Sequence, residues 1–219
     1  MGGVEIAPLR QIGRATPPHL DPPPFSACIY ALGKNGSITS PRRWERLFQS
    51  ARRAKVDLIR VEASVTNHSR FPVPCCKNVA YLGLWLSNLR IWKKAVQTCK
   101  SEWVILLEND ALLPSNFVSR FRTYARPSLD VLWMDSRNGF HPGPSGCCTV
   151  GMAYRKSSLP RLIPHFELGR EDAFYRRGTW KKTTCLFDWY LPAVVRGVGL
   201  RSYTVGIVRH PPTNREKDS

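Results

Sequence analysis

Residues 103–107, Trp-Val-Ile-Leu-Leu, are apolar without interruption, and Glu108, Asn109 and Asp110 follow at once. Such a run is too short for a surface helix, and a strand that is apolar on both faces has to be covered on both. A chain that contains it needs a central sheet with a layer on either side. The other strand-length apolar runs, at residues 27–32, 57–63, 129–134, 148–154 and 202–208, supply the rest of that sheet.

Segments of helical period lie between these runs. Ser40 stands as an N-cap with Pro41 at the first helical position, and Trp44, Leu47, Phe48, Ala51 and Ala54 recur at three- and four-residue steps. Leu82, Trp85, Leu86, Leu89, Trp92 and Val96 mark a second helix face, with Arg90, Lys93 and Lys94 opposite. Phe117, Phe121 and Tyr124 mark a third, and shorter helices are expected at 157–163 and 188–196. This alternation predicts an α/β fold with a mainly parallel central sheet and helices on both faces. Ligands then bind beyond the carboxyl ends of the strands.

The proline-rich residues 1–25 read as an extended tail, residues 26–210 as one folded domain, and residues 211–219 as a second tail. With 42% hydrophobic residues the chain can bury a core, which excludes a wholly disordered protein. No apolar run approaches bilayer length and the N-terminus lacks an apolar signal core, so a cytoplasmic protein is expected. The formal charge of +17 favours anionic partners: nucleic acid, a membrane surface met peripherally, or a phosphorylated small molecule. The seven cysteines include two adjacent pairs, show no C-x-x-C spacing and are odd in number, so neither a zinc site nor a disulfide framework is expected.

Candidate chemistry gathers where the central strand ends. Glu108 and Asp110, one residue apart, can share a hard cation such as magnesium or manganese, whose shell substrate phosphates would complete. The same pair would also suit an ordinary surface turn. Asp188, between Phe187 and Trp189, is partly shielded, which raises a carboxyl pKa toward that of a general base; an acid there also serves as a helix N-cap. Asp135 follows the 129–134 run and points toward the same crevice, where it would hold a sugar hydroxyl. Arg42, Arg43 and Arg46 would meet phosphate or base, or form a solvated helix face. The polar stretch 167–182, with Glu171 and Asp172, reads as a loop over an acceptor.

Taken in order, residues 29–48, YLGLWLSNLRIWKKA (81–95), WVILLENDALLP (103–114), GCCTVGMAYRKSSLPRLI (146–163) and CLFDWYL (185–191) resemble the family 25 glycosyltransferases. That family includes lipopolysaccharide-biosynthesis enzymes and collagen galactosyltransferases. The resemblance implies a GT-A nucleotide-binding sandwich. It implies further that Glu108, Asn109 and Asp110 occupy the acidic motif, with Asp110 binding manganese and the donor diphosphate. Asn109 replaces a central Asp, and Asn88 replaces the His expected after Ser87. The resemblance also assigns Arg43 and Ser87 to the cofactor site and adds His210, similar to a late metal-binding His, to Glu108 and Asp110 as ligands.

The expected activity is therefore metal-dependent transfer of a hexose from a nucleotide-sugar, a UDP-sugar, to a hydroxyl of a glycan, glycolipid or protein, with inversion. Asp188 and Asp135 are its catalytic acids, and no specific nucleic acid is expected. Two alternatives stand beside it. One is a basic nucleic-acid binder whose tryptophans stack on bases; the other is a degenerate transferase that binds without turnover.

Overall fold

The computed structural model describes residues 25–33, 40–64, 79–135, 150–167 and 187–209; the side chains of residues 40, 79–82, 188 and 189 lie outside that description. The strands are β1 (Ala27–Gly33), β2 (Ile59–Glu62), β3 (Trp103–Glu108), β4 (Val131–Asp135), β5 (Gly151–Arg155) and β6 (Ser202–Val208). The helices are α1 (Ser40–Arg53), α2 (Val79–Thr98), α3 (Phe117–Tyr124), α4 (Leu159–Phe166) and α5 (Phe187–Gly197). Residues 1–24 and 211–219 of the expected tails, the loop expected at 167–182 beyond its first residue, and His210 lie outside the described residues, whereas Phe25 packs edge-on against Phe117 and Phe121.

One six-stranded sheet has the order β2-β1-β3-β5-β4-β6. β1 pairs in parallel with both β2 and β3, and β4 with β6, whereas β5 runs antiparallel to β3 and β4. The sheet is thus parallel except for β5. Each strand deals its side chains alternately to two cores. Tyr30, Leu32, Val104, Leu106, Val131 and Trp133 meet Trp92 of α2, Phe166 of α4 and Leu191 of α5 on one face. Ile29, Ala31, Trp103, Ile105, Leu107 and Leu132 meet Trp44 and Leu47 of α1 and Phe117 and Phe121 of α3 on the other. This is the two-sided cover that the apolar β3 demands.

Two helices end in the same hydrogen-bond pattern with different residues. After α1, Val56 N donates to Ala51 O and Lys55 N to Arg52 O, and Lys55 takes a left-handed φ of 55°. After α5, Leu200 N donates to Val195 O and Gly199 N to Arg196 O, with Gly199 at φ 65°. Both are Schellman endings, where glycine carries no Cβ penalty and lysine does.

At the amino ends of the parallel strands, Arg155 donates to Leu129 O and Arg126 O, pairs with Glu102 and lies 5.0 Å over the Trp103 ring. Burial first, then the charge of Arg201, lowers its pKa below the ordinary guanidinium value. Asp130 anchors the same corner by accepting from Arg201 N and Ser158 Oγ.

The cysteine expectation is corrected. Cys28 and Cys99 form a disulfide, with a Cα separation of 6.0 Å across 71 residues of sequence. Counting and spacing carried no information about it, because the two meet only through the sheet: α2 ends at Thr98, the chain turns into β3, and β3 pairs with β1 at Cys28 and Val104.

Candidate functional site

Because β1, β2, β3, β4 and β6 run in one direction, Gly33, Glu62, Glu108, Asp135 and Val208 end at one rim, where the reversed β5 begins at Gly151. Such a carboxyl rim is where open α/β sheets bind ligands.

The acids stand there in a tight turn. Glu108 N donates to Val150 O at 3.0 Å, and Glu108 O accepts from Ala111 N at 3.0 Å, leaving Asn109 and Asp110 at the turn's centre. The turn is held from behind: Leu113 N donates to the Oγ of buried Ser50 on α1, which itself donates to Leu47 O. It is held from the side as well, since Leu112 and Arg209 exchange backbone hydrogen bonds of 2.8 and 3.0 Å. Next to that bridge, β6 shifts register between Trp133 and Asp135 of β4, and Val208 lies over Gly151, where a Cβ would come within 2.8 Å of it. Arg209 is the last described residue; His210 is its neighbour in the chain.

β1 supplies the opposite wall. A Cβ on Gly33 would meet Cβ, Cγ and Nδ2 of Asn109 at 2.7 Å, so the strand must end in glycine for the turn to lie against it. Across the rim, Arg43 in the first turns of α1 places Nη1 3.7 Å from Asp110 Oδ2. The Asp110 side chain is 13% exposed and that of Arg43 50%. Of the residues expected at the cofactor site, Glu108, Asn109, Asp110 and Arg43 are therefore brought together.

Ser87 has a different placement. It is fully buried, donates to Gly83 O at 2.6 Å and accepts from Ser64 N at 2.7 Å. A Cβ on Gly83 would come within 2.6 Å of Ser64 O. Gly83 and Ser87 thus dock the segment after β2 onto α2, with Ala63 N donating to Gly33 O beside them. This hydroxyl positions the rim from beneath. Asn88 is likewise buried, its Nδ2 donating to Leu84 O.

Asp135 ends β4 and is fully buried. Asp188 falls in the first turn of α5, which starts one residue earlier, at Phe187; its side chain lies outside the described residues, as do Glu171 and Asp172. Sequence reasoning missed Gly33, Ser50 and the packing role of Gly83. Only the glycines left a signal, one closing a strand and one four residues before Ser87.

Among the described residues no three His, Cys, Asp or Glu side chains converge on one point. The described residues alone do not build a full metal cage there. Magnesium and manganese need only one or two carboxylates when phosphates complete the shell, and the oxygen donors of Glu108 and Asp110 in one turn fit that arrangement. The described tryptophans Trp44, Trp92, Trp103 and Trp133 are buried and Trp85 is packed against Phe166 and Tyr190, so these rings serve the cores rather than a base-stacking surface. No helix among the described residues is long and apolar enough to cross a membrane.

No protein-family model matches the chain, and no curated protein matches its sequence. Its fold is similar to solved glycosyltransferase structures. One is a glycosyltransferase involved in the glycosylation of the major capsid of PBCV-1, at 13% identity and a TM-score of 0.53, over 86% of this chain and 93% of that one. Another is mouse xyloside xylosyltransferase 1 in its apo form, at 9% identity and a TM-score of 0.54, over 87% and 98%. At such identities the likeness is one of fold, and it covers nearly the full length of both proteins.

Proposed function

We propose that the chain is a metal-dependent glycosyltransferase that moves a hexose from a UDP-sugar to a hydroxyl acceptor with inversion. The observation that carries the reading is the turn Glu108-Asn109-Asp110, pinned at the carboxyl rim opposite Arg43 in a fold similar to that of glycosyltransferases.

Glu108 and Asp110 would hold the divalent ion; when bound, such an ion neutralises the charge that builds on a departing diphosphate. The chain's own groups do the rest. Arg43 offers guanidinium donors to phosphate oxygens, in a geometry that matches them two at a time. Gly33 leaves open the space in which Asn109 and the turn sit. Asp188, in the first turn of α5, takes the proton of the attacking hydroxyl; Asp135, fully buried at the end of β4, has no exposed surface for the sugar hydroxyl expected of it. His210, next in the chain to Arg209, is the third candidate ligand. The acceptor is a glycan, glycolipid or protein hydroxyl, and the net charge of +17 favours an anionic one.

A panel of UDP-sugars offered with manganese, read by release of UDP, tests the reading. Turnover with at least one donor is expected, and Asp110→Ala should lower it by about a hundredfold or more, the usual scale for removing a transition-state charge contact. Silence across the panel, or full activity in Asp110→Ala, refutes it.

A further inference from the structure

We propose that Arg43 is a displaceable counter-ion of the acid turn, which makes manganese and the donor diphosphate bind cooperatively through one side chain. The inference rests on the function proposed above and adds a regulating residue to it. Three observations lead there.

First, the guanidinium lies 3.7 Å from Asp110 Oδ2, on one of the oxygens a divalent ion would use. Second, the two partners differ in freedom. Asp110 is fixed in a turn held by Glu108, Ala111, Ser50 and Arg209, with its side chain 13% exposed, whereas Arg43 is 50% exposed and can turn outward without opening either core. Third, α1 follows the rim end of β1 in the chain and its Arg43 reaches Asp110, which puts the helix's positive end on that side; α1 has no acid of its own in the first turn, and Asp110 is the acid paired with Arg43.

Two cations drawn to one carboxylate oxygen compete for it, even with Glu108 two residues away. In the absence of phosphate, Arg43 therefore opposes metal binding. A diphosphate reverses the sign of that coupling. It brings enough negative charge for both cations, and a guanidinium released from Asp110 can take two phosphate oxygens at once. One residue then weakens the binding of metal alone and strengthens that of metal with nucleotide. Linkage requires each ligand to raise the affinity of the other by the same factor.

The test uses the full chain, with manganese binding read from the electron-spin-resonance signal of the free ion and UDP binding from calorimetry at saturating manganese. Arg43→Gln should bind manganese alone about two- to fivefold more tightly than the wild type, the scale of a half-exposed ion pair. The same variant should bind UDP about tenfold more weakly, the scale of a charge-assisted hydrogen bond. Arg43→Lys, which keeps the charge but not the fork, should retain wild-type manganese affinity and lose part of the UDP affinity. Arg53→Gln, at the far end of α1, should leave both titrations unchanged. If wild type and Arg43→Gln bind manganese equally, or the variant binds it more weakly, the counter-ion role is overturned while the metal site stands. If no protein in the set binds manganese, the metal reading falls and takes this inference with it.

Discussion

At Gly33 the missing side chain is what the site is built around. The contacts of 2.7 Å that a Cβ would make fall on Asn109 Cβ and Cγ, near the root of that side chain, so a small rotation does not relieve them. Gly33→Ala should therefore cost about 1–3 kcal/mol, as overpacking does, and should loosen UDP binding with manganese by displacing the turn. Pairing it with Asn109→Gly, which removes the opposing atoms, should recover part of both losses. A double-mutant cycle in thermal melts and UDP titrations reads the coupling, and additive effects would refute the contact. The acids Glu108 and Asp110 were visible in the sequence because charge breaking off an apolar strand marks a sheet's edge. Arg43 was one of three arginines on a helix by pattern, and the family resemblance alone singled it out. Its pairing with Asp110 needed the backbone of α1 placed against the turn after β3, a relation between segments that no local pattern encodes.

Among the elements, the two Schellman endings form a natural comparison. Lys55 occupies a left-handed position that Gly199 occupies elsewhere in the same hydrogen-bond pattern. Lys55→Gly should stabilise the protein by about 0.5–1 kcal/mol, and Gly199→Ala should destabilise it by at least as much. Chemical denaturation of both variants checks the pair, and equal signs would contradict the argument. The strands and helices themselves were largely legible, since β3 and the faces of α1, α2 and α3 follow from period alone. What period leaves open is direction. An apolar run reads the same whether it lies parallel or antiparallel, so the reversal of β5 could not be seen. Helix ends were obscured in the same way. Pro164 lies inside α4, beyond the end expected at residue 163, yet the buried face formed by Leu159, Leu162 and Phe166 holds the helix through, as Leu191, Val194 and Val195 do around Pro192 of α5.

For the molecule as a whole, the Cys28–Cys99 disulfide joins the start of β1 to the residue just after α2. Closing a loop of 71 residues is worth about 4 kcal/mol in the chain-entropy account. Melting with and without a thiol reductant should show a clear loss of stability on reduction, and Cys28→Ala with Cys99→Ala should reproduce it; coincident melts would refute the bond. Disulfides persist in oxidising surroundings and are rare in a reduced cytosol, so this bond weighs against the cytoplasmic location expected from the sequence. The bond has a mechanical consequence too. It encloses Gly33, Arg43, Gly83 and Ser87 in a covalent ring, while Glu108, Asn109, Asp110 and Asp135 lie on the chain beyond it. A pull on the two ends of an oxidised molecule bypasses the ring, so its fully stretched contour falls short of the reduced one by roughly 240 Å, at about 3.4 Å for each of the 71 residues.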